Sequence, residues 1–307
     1  MSTEGTASGL VVASHGRHAL VESPDGQRRI CHPRGKKSQC VVGDRVLWRV
    51  TGDEGVIEKV EERRNVFYRQ DEVRTKSFAA NLDQVLLLIA AEPEFSEHQL
   101  SRALIAAEAE HITPLIALNK SDLVDPFERA WSRLLPYQQM GYGVLPLSLR
   151  LSQDVVREHL LSHLRGKTTL VLGPSGAGKS TLINLLVPGA VAQTGEISRA
   201  LNSGKHTTTS TTWYWVDPQE RTTALIDSPG FQEFGLQHIP PMALAGLMRD
   251  LRPHLGECRF SNCTHTHEPG CGVIAAVAHA ESPNPVTTNR YRIYTELFEE
   301  LSQPPRY

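Results

Sequence analysis

Hydrophobic and polar positions change their spacing twice along the chain. Over residues 10–60 the apolar pieces are short and β-branched, at 10–13, 19–21, 41–42, 46–50 and 55–60, and they are split by the turn pairs Asp25-Gly26, Gly43-Asp44 and Gly52-Asp53. Several short strands at that spacing predict a small β-barrel or sandwich over residues 1–68. After Ala80 the runs 85–90 and 113–118 read as buried strands, and between them Leu100, Leu104 and Ala107 recur at helical spacing. The alternation continues through 170–172, a helix after Lys179, and 223–227, which predicts a doubly wound α/β domain over 69–240. From residue 241 to 307 the chain reads as helical and rich in Cys and His, and it closes on a helix over 290–301 with the stripe Tyr294, Leu297, Phe298 and Leu301.

A length of 307 residues accommodates two or three such domains. The formal charge of −2 is close to neutral, so any nucleic-acid surface must come from local clustering. The apolar run 85–91 is far shorter than the ~18 residues of a membrane helix, and residues 1–9 lack the basic and apolar regions of a signal peptide. Both features predict a soluble, cytoplasmic protein without membrane contact, with a monomer as the default. Five cysteines, an odd and uneven number, argue against a disulfide framework. Cys31 and Cys40 read as small half-buried hydrophobes.

The late cysteines carry chemistry. Cys258-x4-Cys263 is followed by His265, His267 and Cys271, which offers three thiolates and an imidazole, the Cys3His donor set of structural zinc. Spacing alone leaves His265 and His267 in competition. Four protein donors leave no open position, so the metal holds the fold and does not catalyse.

Gly173-Pro174-Ser175-Gly176-Ala177-Gly178-Lys179-Ser180, with Thr181 after it, fits the phosphate-loop pattern and follows an apolar strand directly. Its glycines let backbone N–H groups face phosphates at a helix N-terminus, Lys179 reaches the β- and γ-phosphates, and the Ser180 hydroxyl ligates Mg²⁺. Asp227-Ser228-Pro229-Gly230 ends another strand and places a carboxylate near the Mg²⁺ shell and a glycine N–H near the γ-phosphate. Asn119-Lys120-Ser121-Asp122 follows a third strand. Asp122 can accept from both N1–H and the 2-amino group of guanine, whereas adenine has neither donor there, so the motif selects GTP over ATP. In Ras-like GTPases the phosphate loop comes first. Here Asn119–Asp122 precedes it, with Ser148 in Pro-Leu-Ser-Leu as a second candidate guanine contact, and the threonine run and Asp227–Gly230 follow. The nucleotide domain is circularly permuted.

That order resembles the ribosome small-subunit-dependent GTPases of the RsgA (YjeQ) family. The resemblance runs through Asn81-Leu82-Asp83-Gln84, Asn119–Asp122, residues 173–181, Gly204-Lys205-His206-Thr207-Thr208-Thr209, residues 227–231 and the segment from Cys258-Arg-Phe to Glu-Pro-Gly-Cys271. It implies an OB-fold barrel, then a permuted GTPase domain, then a zinc-binding helical domain. It implies zinc on Cys258, Cys263, His265 and Cys271. It further implies a partner, the small (30S) ribosomal subunit with its 16S rRNA, late in assembly, with GTP hydrolysis stimulated by the subunit and coupled to release. Arg28, Arg29, Arg34, Lys36 and Lys37 form a stretch without Asp or Glu. By charge alone this is a solvated basic loop, but the resemblance makes it an RNA contact. Arg290 and Arg292 on the last helix read either as a second contact or as packing.

Ras-type enzymes orient the attacking water with a Gln directly after the D-x-x-G motif, a position held here by Phe231. Intrinsic turnover should therefore be slow. His206 lies where the first switch segment belongs and is the internal candidate to orient water. One of Thr207, Thr208 and Thr209 closes the Mg²⁺ shell; we take Thr208. The catalytic set expected from the sequence is thus His206, Lys179 and Thr208, with Mg²⁺ on Ser180, Thr208 and Asp227.

Overall fold

The computed structural model describes residues 5–15, 18–35, 40–70, 75–190, 211–228, 236–278 and 286–303. Strands β1 (Ala7–His15), β2 (His18–Glu22), β3 (Arg28–Pro33), β4 (Arg45–Thr51) and β5 (Glu54–Val60) pair in the order β1-β2-β3-β5-β4, and β4 returns to β1. The circuit closes into a five-stranded OB-type barrel, with β3 parallel to β5 and the other pairs antiparallel. Inward positions fill it with Val11, Val21, Cys31, Val46, Trp48 and Ile57, and the Trp48 indole donates to the Ser8 carbonyl at 3.3 Å. Two sequence expectations differ from this barrel. Residues 41–42 form only an isolated bridge from Val42 to Ala79, whereas the polar, basic segment 28–33 is a strand.

A hairpin of β6 (Val66–Gln70) and β7 (Thr75–Ala80) leads into the main sheet. Its strands are β8 (Gln84–Ala90), β9 (Thr113–Asn119), β10 (Gly143–Pro146), β11 (Thr168–Leu172), β12 (Thr212–Trp215) and β13 (Ala224–Asp227), in the order β10-β9-β8-β11-β13-β12. All neighbours are parallel except β12, which runs antiparallel to β13. Buried on both faces, β8 reads Gln-Val-Leu-Leu-Leu-Ile-Ala with every residue inside. Helices α1 (Glu97–Ala109) and α2 (Val124–Gln139) contribute to one core cluster, and α3 (Gln153–Leu164) and α4 (Lys179–Leu186) to the other. Helix α1 starts where the Ser96 hydroxyl accepts from Gln99 N, and it buries Leu100, Leu104 and Ala107.

The Asn81–Gln84 motif is a junction. Asn81 takes a left-handed φ of 59°, its Nδ2 donates to Gly43 O of the barrel, and its Oδ1 accepts from Arg64 N. Asp83 accepts from the backbone N–H of Thr168, and Gln84 from Lys167 Nζ, so the motif ties barrel and hairpin to the start of β11.

Beyond residue 240, two 3-10 turns (Pro241–Leu247 and Arg252–Glu257) precede α5 (Gly272–Ala278) and α6 (Thr288–Ser302). Helix α6 begins two residues earlier than its apolar stripe suggested, because the Thr287 hydroxyl caps it by accepting from Arg290 N. Arg290 is 2% exposed. Its guanidinium donates to both Asp250 oxygens, at 2.8 and 2.9 Å, and to Ser101 Oγ of α1 at 2.5 Å. Arg290 is therefore a packing residue and not an RNA contact. Arg249 and Arg252 on Glu108, and Arg102 on Glu300, fasten the same domain to α1.

Candidate nucleotide site and metal centre

Three loops converge at the carboxyl ends of β9, β11 and β13, where an open α/β sheet holds its ligands. Gly173 leaves β11 so close to β8 that an added Cβ would lie 2.5 Å from the Leu88 carbonyl oxygen. Pro174, Ser175, Gly176 and Ala177 carry the loop round to Gly178, the residue before α4, whose φ of 102° suits glycine. A Cβ on Gly178 would also meet Asn119 Nδ2 at 2.6 Å. Lys179, Ser180 and Thr181 form the first turn of α4. The Lys179 ammonium bonds Asp227 Oδ1 at the end of β13, so the loop's cation and this carboxylate meet at one point.

Asn119 ends β9 and braces two loops. Its Nδ2 donates to Ala177 O at 2.8 Å, and its Oδ1 accepts from Leu149 N at 3.1 Å. Lys120 turns the chain with a φ of 70°, which brings Asp122 beside the loop after β10. There Ser148 Oγ donates to Asp122 Oδ1 at 2.6 Å, and Ser121 N donates to Leu147 O. The Ser148 hydroxyl holds the Asp122 carboxyl below its usual range against its partial desolvation, with Arg150 and Lys120 adding lesser contributions. Asp122 is thus ionised and oriented, as an acceptor for two donors on one base edge must be. The bracing role of Asn119 and the approach of Leu149 to Gly178 were not readable from spacing, since both depend on β9 and β11 being brought to one end of the sheet. Ser148 thus acts as an orienter of Asp122, while Gly230, Phe231, His206 and Thr207–Thr209 lie outside the described residues.

The metal centre is compact. Donor atoms of Cys258, Cys263, His265 and Cys271 all lie within 4.8 Å of one another. His265 Nδ1 is 3.5 Å from Cys258 Sγ and 3.4 Å from Cys271 Sγ. His267 is exposed, and its Nδ1 faces Thr266 Oγ1 at 2.9 Å, so His265 is the fourth donor. Burial pushes the Cys263 thiol up to about 12, so a cation is what this cluster needs to become thiolate. The cluster fits a structural zinc site: soft donors, tetrahedral number, closed shell. Around it, Tyr291 and Tyr294 of α6 donate to the carbonyls of His265 and Thr264. Glu268 accepts from Thr264 and from the N–H groups of Thr266 and His267, bonds that outweigh its desolvation and hold its carboxyl far below the usual range.

The basic strip is partly spoken for. Arg28 Nε donates to Glu22 at 2.7 Å, Arg29 to the Gly52 carbonyl at 3.2 Å, and Arg34 to Glu58 at 2.5 Å, while Lys36 and Lys37 lie outside the described residues. Among the described residues no helix is long and apolar enough to cross a membrane.

The sequence model of the RsgA GTPase family matches residues 60–237. A protein of Variovorax paradoxus, "Small ribosomal subunit biogenesis GTPase RsgA", is 73% identical over 96% of this chain and 92% of its own length. The crystal structure of YjeQ from Thermotoga maritima superposes with a TM-score of 0.73 at 30% identity, covering 97% of this chain and 100% of that one. The structure of YloQ, described as a circularly permuted GTPase, gives 0.71 at 26% identity over 99% and 98% of the two chains.

Proposed function

Because the chain belongs to the RsgA GTPase family, we propose that it hydrolyses GTP as a late-stage maturation factor of the small (30S) ribosomal subunit. In this reading the subunit stimulates hydrolysis, and hydrolysis releases the protein. The observation that carries it is the brace at Asn119, which locks the base-reading loop to the phosphate loop despite their reversed order in the chain. It works in the cytoplasm as a monomer, with 16S rRNA against the barrel. The units span 1–68, 69–240 and 241–307.

The roles follow from position. The amides of 173–178 and the first turn of α4 cradle phosphates, Lys179 neutralises the β- and γ-phosphoryl oxygens, and Asp122, oriented by Ser148, reads guanine. Ser180 and Asp227 stand where Mg²⁺ with GTP would be held, with Thr208 completing the shell. Bound there, the ion neutralises charge developing on the phosphates. Gly230, as the glycine of the D-x-x-G motif, is assigned to the γ-phosphate. Asp122→Asn is expected to weaken GTP binding more than ~10-fold, about 1.4 kcal/mol, since an amide pairs one of the two guanine donors. Unchanged GTP affinity in a direct titration would remove the guanine assignment.

Because Phe231 cannot orient water, His206 takes that role. His206→Ala should lower subunit-stimulated turnover by ~10²-fold or more and leave affinity for a non-hydrolysable GTP analogue and for the subunit within a few-fold. Retained turnover would assign the water to the ribosome or another residue, and lost subunit binding would make His206 a contact. GTP turnover measured with and without purified 30S subunits tests the function as a whole; no stimulation would overturn it.

A further inference from the structure

The barrel and the nucleotide domain share a seam at β12. On one side Thr212 is in register with Asp227 of β13, and on the other with Ala13 of barrel strand β1. Asp227 is thereby held between Val171 of the phosphate-loop strand and Thr212. At the far end of β12 the Trp215 indole N–H donates to Glu22 Oε1 at 2.7 Å. Glu22 belongs to barrel strand β2 and is 5% exposed. Its other oxygen holds Arg28, and Arg221 lies 3.9 Å away while donating to the Pro24 carbonyl.

Along its other edge β12 pairs residue by residue with β13, and it buries Trp213 and Tyr214. Beside the cluster a cleft of about 570 Å³ opens between barrel and nucleotide domain, lined by Glu22, Arg45, Asn81, Thr168, Trp213 and Arg221. The strand pair at Thr212, the Glu22–Trp215 bond and the Arg221–Pro24 bond all reach across it.

We propose that Glu22, a barrel residue, is a positioning residue for GTP hydrolysis. It anchors β12 through Trp215, and β12 pairs with Asp227 at Thr212. This rests on the GTPase reading above. The barrel thus supports the catalytic geometry directly and is more than an attached binding module.

Positioning predicts a change in turnover and not in ground-state binding. In the full-length protein, Glu22→Ala should lower kcat for GTP, with and without small subunits, by on the order of 10- to 10²-fold, the size of a small misplacement at a reacting centre. KM and affinity for a non-hydrolysable GTP analogue should stay within a few-fold. Trp215→Phe removes the same bond from the other side without stranding Arg28, and it should give the same loss. The double variant should be no slower than either single one, because both delete one link. Glu22→Gln keeps an acceptor for the indole and should restore most of the turnover. Should Glu22→Ala fail to fold, Trp215→Phe alone decides. Wild-type kcat in Trp215→Phe, or losses that multiply in the double variant, overturns the positioning role. A wild-type protein without turnover, alone or with subunits, removes the GTPase reading first and this inference with it.

Discussion

Cys263→Ser is expected to empty the metal centre and to unfold the loop around it while leaving the nucleotide site intact. The wild-type protein should carry about one zinc per chain, as a closed Cys3His shell implies. Structural zinc contributes ~10–16 kcal/mol of apparent binding energy, and in a segment with little core of its own that energy is folding energy. Without it, the Tyr291 and Tyr294 bonds to the carbonyls of His265 and Thr264 have no fixed loop to meet. Metal analysis and hydrogen exchange over 258–271 report the loss. GTP-analogue affinity should stay within a few-fold, because none of the braces at Asn119, Asp122 or Lys179 involves this loop. A full complement of zinc in the variant, or none in the wild type, would sink the assignment.

The second large effect concerns the docking of the zinc domain. Asp250→Ala leaves the Arg290 guanidinium buried against Ser101 and Tyr137 without its carboxylate. Stripping one partner from a buried ion pair costs about 3–5 kcal/mol, because the surviving charge cannot recover its hydration. Urea unfolding should show that loss, with exchange rising first along α6. Converting both Asp250 and Arg290 to leucine should recover most of it, since an apolar pair carries no desolvation penalty. A single-variant effect within ~0.5 kcal/mol, the size of an ordinary surface change, would mean that α6 is held by its other contacts.

What could be read in advance divides along physical lines. The phosphate loop and Asn119–Asp122 were legible because they need particular residues, such as a glycine at a φ of 102° and a carboxylate at a strand end. The metal donors were legible because thiols crowd together for few other reasons. Strand β3 was not, because Arg-Arg-Ile-Cys-His-Pro turns only Cys31 fully inward and its polar face hides the alternation. Strand β12 was hidden for another reason: Thr-Trp-Tyr-Trp is four residues long with three of them buried, so it shows no alternation. Arg290 stayed open between contact and packing because its partners, Asp250 and Ser101, are remote in sequence. Spacing alone left His265 and His267 in competition; the resemblance favoured His265, and the fold agrees, turning it inward and leaving His267 outside.

The permuted order bears on how the chain comes to be folded as it is made. Strand β8 is apolar and buried at all its positions but one, Gln84, which is buried too. It pairs with β9 on one edge, and β9 follows it after a single helix. Its other edge belongs to β11, which is synthesised only after α2, β10 and α3. For that interval the nascent chain carries an open, flat, hydrophobic strand edge, the kind that templates wrong pairings. The phosphate loop sits at the end of the strand that closes it, so a chain able to hold nucleotide is also one that has covered its most aggregation-prone edge.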